Sequence, residues 1–268
     1  MPSMPEFTNH LLQSRKYRAL HLPPETIQDL IEQESSRYST PREIQESVRK
    51  KLHQLTALYL GDPDYAQAIQ ELETLSSQED LLAFSQRMLA THTSTRERLP
   101  YLEEFYRSIF KLTGKPNHIL DLACGLHPFA MPAMGLAQET VYQAYDIHLP
   151  RVELLNAFFQ KWEMPNAQAV QRDILVSPPS HKADVAFFFK EAHRMEQRRK
   201  GSNRLLWGAL QVDFLLVSLP RSDIGKTHDL SQRMENLVLE TMQGASWQME
   251  KLLFEDEIVF CIHKEKKG

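Results

Sequence analysis

The chain has 268 residues, 42% of them hydrophobic, enough for one large domain or for a core domain with a smaller companion. Its formal net charge of −4 excludes a protein that coats nucleic acid over its whole surface, although a local basic face can still hold phosphate. Cys124 and Cys261 are too far apart in sequence to form a paired zinc-ligand spacing or a disulfide framework, which favours a reducing, cytoplasmic setting, and no apolar run approaches the roughly 20 residues of a membrane span.

In chain order, the first part shows apolar residues at helical spacing in "PPETIQDLIEQESSRY", "PREIQESVRKKLHQLTALYL", "DYAQAIQELETLSSQEDLLAFSQRMLATH" and "ERLPYLEEFYRSIFKLT". Helix starts are marked by Pro23 and Pro24, by Thr40 with Pro41, and by Asp62 with Pro63. After "TGKPN" the pattern changes to short apolar strands separated by helical segments: "HILDL", "TVYQAYDI", "AQAVQRDI", "ADVAFFF" and "VDFLLVSLP". The closing "WQMEKLLFEDEIVFCIHK" leaves no room for a crossover, so the last strand is expected to be antiparallel. This predicts an all-helical domain over 1–108, then an α/β domain over 109–268 built on a mostly parallel sheet with helices on both faces.

In such a sheet, ligands sit beyond the carboxyl ends of the strands, where the strand order reverses. Three successive strand ends carry an acid: Asp121 in "LDLACGLHP", Asp146 in "AYDIH" and Asp173 in "QRDIL". A single aspartate there is equally a turn former; the ordered trio is what points to a nucleoside. Ala123 and Gly125 leave the first turn open for close approach, Asp146 suits a ribose diol, and Asp173 with Ile174 suits the amino group and ring of adenine. Pyrophosphate calls for a glycine-rich turn at a helix N-terminus, whereas "DLACGLHPFA" has one glycine and an acid beside it. S-adenosylmethionine fits better, with Asp121 facing its ammonium.

The segments "LHQLTALYL", "THTSTRERL", "LDLACGLHPFAM", "YDIH", "RDIL", "FFFKEAHRMEQRRKGS" and "LVSLP" occur in a telling order and spacing. Over nearly its whole length the chain resembles the aminoglycoside-resistance 16S rRNA (guanine-1405-N7) methyltransferases. The resemblance implies a helical domain that docks on 16S rRNA in the 30S ribosomal subunit, followed by a Rossmann-like S-adenosylmethionine-dependent methyltransferase domain. It further implies methylation of N7 of a decoding-site guanine, with aminoglycoside resistance as the consequence. On the same basis His92, Ser94, Thr95 and Arg98 of "HTSTRERL" close over the cofactor, and the guanidinium fork of Arg98 pairs with its carboxylate. That stretch also reads as a helix start. Phe189 is expected to stack on a flipped base and Lys190 to contact the nucleotide or its phosphate.

Phosphate contacts are expected from Arg15, Lys16 and Arg18, from Arg49, Lys50 and Lys51, and from Arg194, Arg198 and Arg199 beside the active site. Charge runs on helices are also ordinary solvated faces. No metal, DNA or membrane partner is implied, and a monomer is expected because the substrate is a large particle. The connection from Arg221 to Arg233 is the expected element that meets the target nucleotide. Three departures from the family bear on target choice: His127 stands where asparagine is common, "FKEAHRME" is more polar than the usual leucine-rich continuation, and the loop containing "RSDIGKTHDLSQRMEN" is longer and lacks the family's glycine before Met-Glu. Three alternatives therefore stay open: a methyltransferase acting on another RNA, one acting on a small molecule, and a non-catalytic RNA-binding relative. Salt-insensitive turnover of a small acceptor would mark the second, and failure to bind the cofactor the third.

Overall fold

From Ile119 to Leu122 the run His118–Leu122 is buried on both faces and apolar apart from Asp121, which suits a strand inside a sheet. In the computed structural model it is β1, paired in parallel with β2 (Val141–Asp146) on one side and β4 (Lys182–Phe189) on the other. The structure describes residues 4–14, 17–18, 21–56, 62–223, 225 and 227–264. With β3 (Ala167–Gln171), β5 (Gln211–Pro220), β6 (Gln248–Leu253) and β7 (Glu257–His263), the sheet order is β3-β2-β1-β4-β5-β7-β6. Only β7 runs against its neighbours, as the short link from Leu253 to Glu257 requires. Strand order reverses between β1 and β4, so the carboxyl ends of these strands flank the switch point.

The amino-terminal part forms α1 (Met4–Gln13), α2 (Pro24–Ser35) and α3 (Pro41–Thr56). At the start of α3, the Thr40 hydroxyl accepts from the Glu43 N–H at 3.3 Å and donates to the Glu43 carboxylate at 2.6 Å, a reciprocal cap. Then come α4 (Tyr65–Thr74), α5 (Gln78–Thr91), α6 (Thr93–Arg96) and α7 (Leu102–Thr113). Asp64, one residue beyond the expected Asp62 and Pro63, caps α4 by accepting from the Gln67 N–H at 3.0 Å. Asp62 is thereby released to point elsewhere. Between the strands lie α8 (Met131–Met134), α9 (Leu149–Lys161), α10 (Ala192–Arg198), α11 (Ser202–Ala209) and α12 (Ser231–Met242). None of the described helices is long and apolar enough to cross a membrane.

Period-two alternation sends Ile119, Tyr142, Val185, Phe187 and Leu216 to one sheet face, where they share a core with Leu72, Phe84, Ile109 and Phe158 of α4, α5, α7 and α9. Leu120, Leu122, Phe188 and Leu215 point the other way, onto Leu206 and Trp207 of α11 and Met234 and Val238 of α12. Helices α1–α3 keep a core of their own, with Phe7, Leu11, Ile27, Leu30, Ile44, Val48 and Leu52. The expected domain junction at residues 108 and 109 falls inside α7, whose apolar side packs on the sheet. The contact of α2 with the sheet domain is polar: the Thr26 hydroxyl donates to Asp173 Oδ2 at 2.9 Å, and Asp29 accepts from Arg198 at 2.8 Å and from Arg199 at 3.2 Å.

Candidate active site

Two left-handed residues carry the chain away from β1: Ala123 with φ of 49° and Gly125 with φ of 57°. For alanine this conformation is strained, and the surrounding bonds impose it. The Cys124 N–H donates to the Tyr145 carbonyl at 2.9 Å and the Gly125 N–H to Asp146 Oδ2 at 3.0 Å. The end of β4 repeats the device, with Lys190 at φ of 58° and its N–H donating to the Ser218 carbonyl at 2.8 Å. Between these turns lies a cavity lined by Ala123, Gly125, Asp146, Asp173, Ile174, Phe189 and Lys190. His92, Ser94, Thr95 and Arg98, from the connection around α6, close one side; Arg194 and Arg198 of α10 close another. The expected cofactor residues thus meet in one place, with the exception of Asp121.

Asp121 lies beneath the turn and is 1% exposed. Its Oδ2 accepts from the Tyr142 hydroxyl at 2.6 Å and stands 2.7 Å from Nδ1 of His127, whose Nε2 lies 2.6 Å from the Tyr106 hydroxyl. A carboxylate at this depth needs donors, and the protein supplies them. Its role is therefore to anchor the turn, which corrects the expectation that it faces an ammonium.

The other two acids do line the cavity. Asp146 accepts from the His148 N–H at Oδ1 (2.9 Å), and at Oδ2 from the Gly125 N–H and from Arg151 Nη1 (2.8 Å). Asp173 accepts from the Leu175 N–H at Oδ1 (3.1 Å), and at Oδ2 from Thr26 and from Arg198 Nη2 (2.7 Å). A carboxylate offers about four lone-pair positions, so these bonds among the described residues leave each acid an acceptor position on Oδ1. Arg151, which the sequence reading passed over, also binds Asp62 Oδ2 at 2.6 Å and donates from Nε to the Tyr65 hydroxyl at 3.0 Å.

Three expected roles need correction on the closing side of the cavity. Arg98 gives its fork to Glu257, Nε to Oε1 at 2.7 Å and Nη2 to Oε2 at 2.6 Å, and is 2% exposed. Burial alone would raise the Glu257 carboxyl, but the adjacent guanidinium outweighs it and holds the acid below its ordinary range. A cofactor carboxylate would have to compete with that pair. The Phe189 ring is enclosed by the Arg98 guanidinium at 4.8 Å, Phe105 at 5.5 Å, His127 at 4.8 Å and Phe187 at 5.1 Å, which leaves it packed in an aromatic cluster instead of standing free to stack on a base. Lys190 points Nζ at Glu97 Oε2, 2.6 Å away, and is buried. The expected helix start in this stretch is α6, capped by His92, whose Nδ1 accepts from the Ser94 N–H at 3.3 Å, while the Thr95 hydroxyl donates to the Leu89 carbonyl at 2.6 Å.

The basic clusters divide. Arg15 and Lys16 lie outside the described residues, as do residues 224 and 226 of the connection from Arg221 to Arg233. Arg18, Arg49 and Lys50 are exposed. Lys51 instead turns inward to Glu34 at 2.6 Å, Arg198 bridges Asp29 and Asp173, and Arg199 binds Asp29, so these three correct the expectation of free phosphate contacts. Arg194 pairs with Glu191 at 3.0 Å. Sequence reasoning missed Arg151, Glu191 and Glu257. The one available signal was an acid opening the otherwise apolar "EIVFCIH", since its partner lies 159 residues away.

Comparison with known proteins agrees with this geometry. The model of the family described as Ribosomal RNA methyltransferase (FmrO) matches residues 13–261. A 16S rRNA (guanine(1405)-N(7))-methyltransferase of Micromonospora rosea is 29% identical over 266 residues, covering 95% of this chain and 94% of that protein. The solved 16S rRNA methylase RmtB is similar with a TM-score of 0.80 and 25% identity, covering 99% of this chain and 100% of that one. The 16S rRNA methyltransferase RmtF, solved in complex with S-adenosyl-L-homocysteine, gives 0.80 and 26%, again covering 99% and 100%. With the sequence match running nearly end to end and the same architecture around a cavity at the switch point, the chain belongs to the ribosomal RNA methyltransferase (FmrO) family.

Proposed function

We propose that this protein methylates N7 of the decoding-site guanine of 16S rRNA with S-adenosylmethionine as donor, acting as a monomer on the assembled 30S subunit in the cytoplasm and conferring aminoglycoside resistance. The observation that carries the reading is the convergence of Gly125, Asp146, Asp173 and Ile174 around a left-handed turn at the switch point. These residues fit the cofactor. Asp146 would hold the ribose hydroxyls, Asp173 the adenine amino group and Ile174 the ring, and each acid keeps an acceptor position among the described residues. At Gly125, an added Cβ would stand 3.8 Å from Arg151 Nη1 and fill part of the cradle.

Bound there, the cofactor supplies a methyl group already activated on a sulfonium. Guanine N7 carries a free lone pair at neutral pH, so the protein needs no general base; its work is alignment and exclusion of water. The connection around α6 serves that end, since His92 and Thr95 fix its shape and the Glu97–Lys190 pair ties it to the end of β4. Helices α1–α3 would dock on the subunit, with Arg18, Arg49 and Lys50 as phosphate contacts. The test is transfer of labelled methyl from S-adenosylmethionine to purified 30S subunits, with the modified base mapped. We expect N7-methylguanine in the decoding site, lost in Asp146→Ala. Transfer to a different nucleotide, or none to 30S subunits from a protein that binds the cofactor, would overturn the reading.

A further inference from the structure

The cavity is graded in depth. Asp146 and Asp173, which suit the cofactor, are 5% and 1% exposed. At the rim stand the side chains of Glu191 and Arg194, 20% and 35% exposed, paired through Glu191 Oε1 and Arg194 Nη1 at 3.0 Å. Both line the same cavity, Glu191 directly after the left-handed Lys190 and Arg194 one helical turn further along. A second substrate entering a cavity whose floor is taken by the cofactor passes the rim at which this pair stands.

We infer that Glu191 and Arg194 select the target base by reading the Watson–Crick edge of guanine, an inference that rests on the function proposed above. That edge presents an acceptor, O6, followed by two donors, N1–H and the N2 amino group. A guanidinium beside a carboxylate presents the complement: Arg194 donates to O6, and the two Glu191 oxygens accept from N1–H and N2–H. Adenine presents a donor at N6 and a lone pair at N1, so two of the contacts would set like against like, and the third is lost because adenine has no amino group at C2. N7 lies outside the edge being read and stays free for the methyl group. Burial raises the Glu191 carboxyl above its usual range despite Arg194, so donors from a bound base would favour its charged form.

The experiment compares wild type with Glu191→Ala, Glu191→Gln and Arg194→Ala in two assays: calorimetric binding of S-adenosylhomocysteine, and methyl-transfer kinetics on 30S subunits reconstituted with guanine or inosine at the target position. Inosine keeps O6, N1–H and N7 but lacks the N2 amino group. We expect Glu191→Ala to lower kcat/KM for guanine roughly ten- to hundredfold, Glu191→Gln to fall between it and wild type, and all variants to bind S-adenosylhomocysteine within about twofold of wild type. Inosine should cost the wild type several-fold and cost Glu191→Ala nothing. Unchanged kcat/KM in Glu191→Ala, a parallel loss of S-adenosylhomocysteine binding, or an equal inosine penalty in both proteins would overturn the inference while leaving the proposed reaction intact. Absence of transfer by the wild type itself would overturn both.

Discussion

Helices α4–α7 and helices α1–α3 are neighbours in sequence and both contact the sheet domain, but through opposite chemistry. The first group offers Leu72, Phe84, Phe105 and Ile109 to the sheet face in one continuous apolar core. The second keeps most of its apolar residues to itself, with Ile147 of the sheet domain packed at the edge of that core, and meets the sheet domain mainly through hydrogen bonds and ion pairs, Thr26 with Asp173 and Asp29 with Arg198 and Arg199. Close-packed apolar contact fixes a wall with little give, whereas a polar seam depends on the geometry of a few bonds. That polar seam includes Asp173, an acid of the cavity. The part proposed to dock on RNA is thus attached through the group proposed to hold adenine, while the back wall of the cavity is independent of docking.

The largest effect that would break this contrast lies on the rigid side. Arg98→Ala strands Glu257 as an unpaired buried charge, and we expect a loss of about 3–5 kcal/mol in denaturant-induced unfolding. A loss below about 1 kcal/mol would mean that water reaches the pair and that the wall is less closed than described. Next is a pH effect at the same wall, where His148 packs edge-on against Tyr65 of α4 at 5.0 Å. Burial, helped by Arg151, pushes His148 down to about 4. The unfolded chain, with an ordinary value of about 6.5, then binds a proton that the folded state refuses. Stability from this group is complete above pH 6.5 and is lost as pH falls toward 4, at up to about 1.4 kcal/mol per pH unit. His193 is also pushed down to about 4, mainly by burial, and shares the window. Melting curves across that range should therefore be flatter for His148→Asn than for wild type but not flat, and identical slopes would show that His148 is solvated.

The expected sheet, its single antiparallel strand and most of the cavity lining were legible because they depend on local pattern: apolar runs of strand length, turn residues at their ends, and the rule that ligands gather at a switch point. What each charged group does was not legible. "HTSTRERL" shows that Arg98 belongs near the cavity, but not that Glu257, far along the chain at the start of β7, would take both arms of its fork. Likewise "RRK" beside the active site reads as a phosphate patch until the fold sets Asp29 of α2 against it. The sequence marks Asp62 with Pro63 as the start of α4, and only the fold shows that Asp64 takes the cap while Asp62 turns to Arg151. Long-range pairing of charges has no periodicity, so a single sequence carries no trace of it.

The polar seam gives smaller and more diagnostic effects. Thr26→Val keeps the shape of the side chain and removes the donor to Asp173, which should cost about 1 kcal/mol of stability. If the seam and the adenine site share Asp173, affinity for S-adenosylhomocysteine should fall with it by roughly fivefold. Lower stability with unchanged affinity would separate the two and restrict the seam to a structural role.

The finest test uses the division among the basic residues. Arg49 and Lys50 are exposed, whereas the neighbouring Lys51 is held by Glu34. Each phosphate contact releases about one counterion, so Arg49→Ala and Lys50→Ala should each reduce the slope of log affinity for 30S subunits against log salt by about 1. Lys51→Ala should leave that slope unchanged and lower folding stability, because it leaves the Glu34 carboxylate, 1% exposed, without its lysine. Slopes equal to the wild-type value in all three variants would mean that docking uses another face, and slopes lowered by about 1 in all three would mean that Lys51 leaves Glu34 for phosphate when RNA arrives.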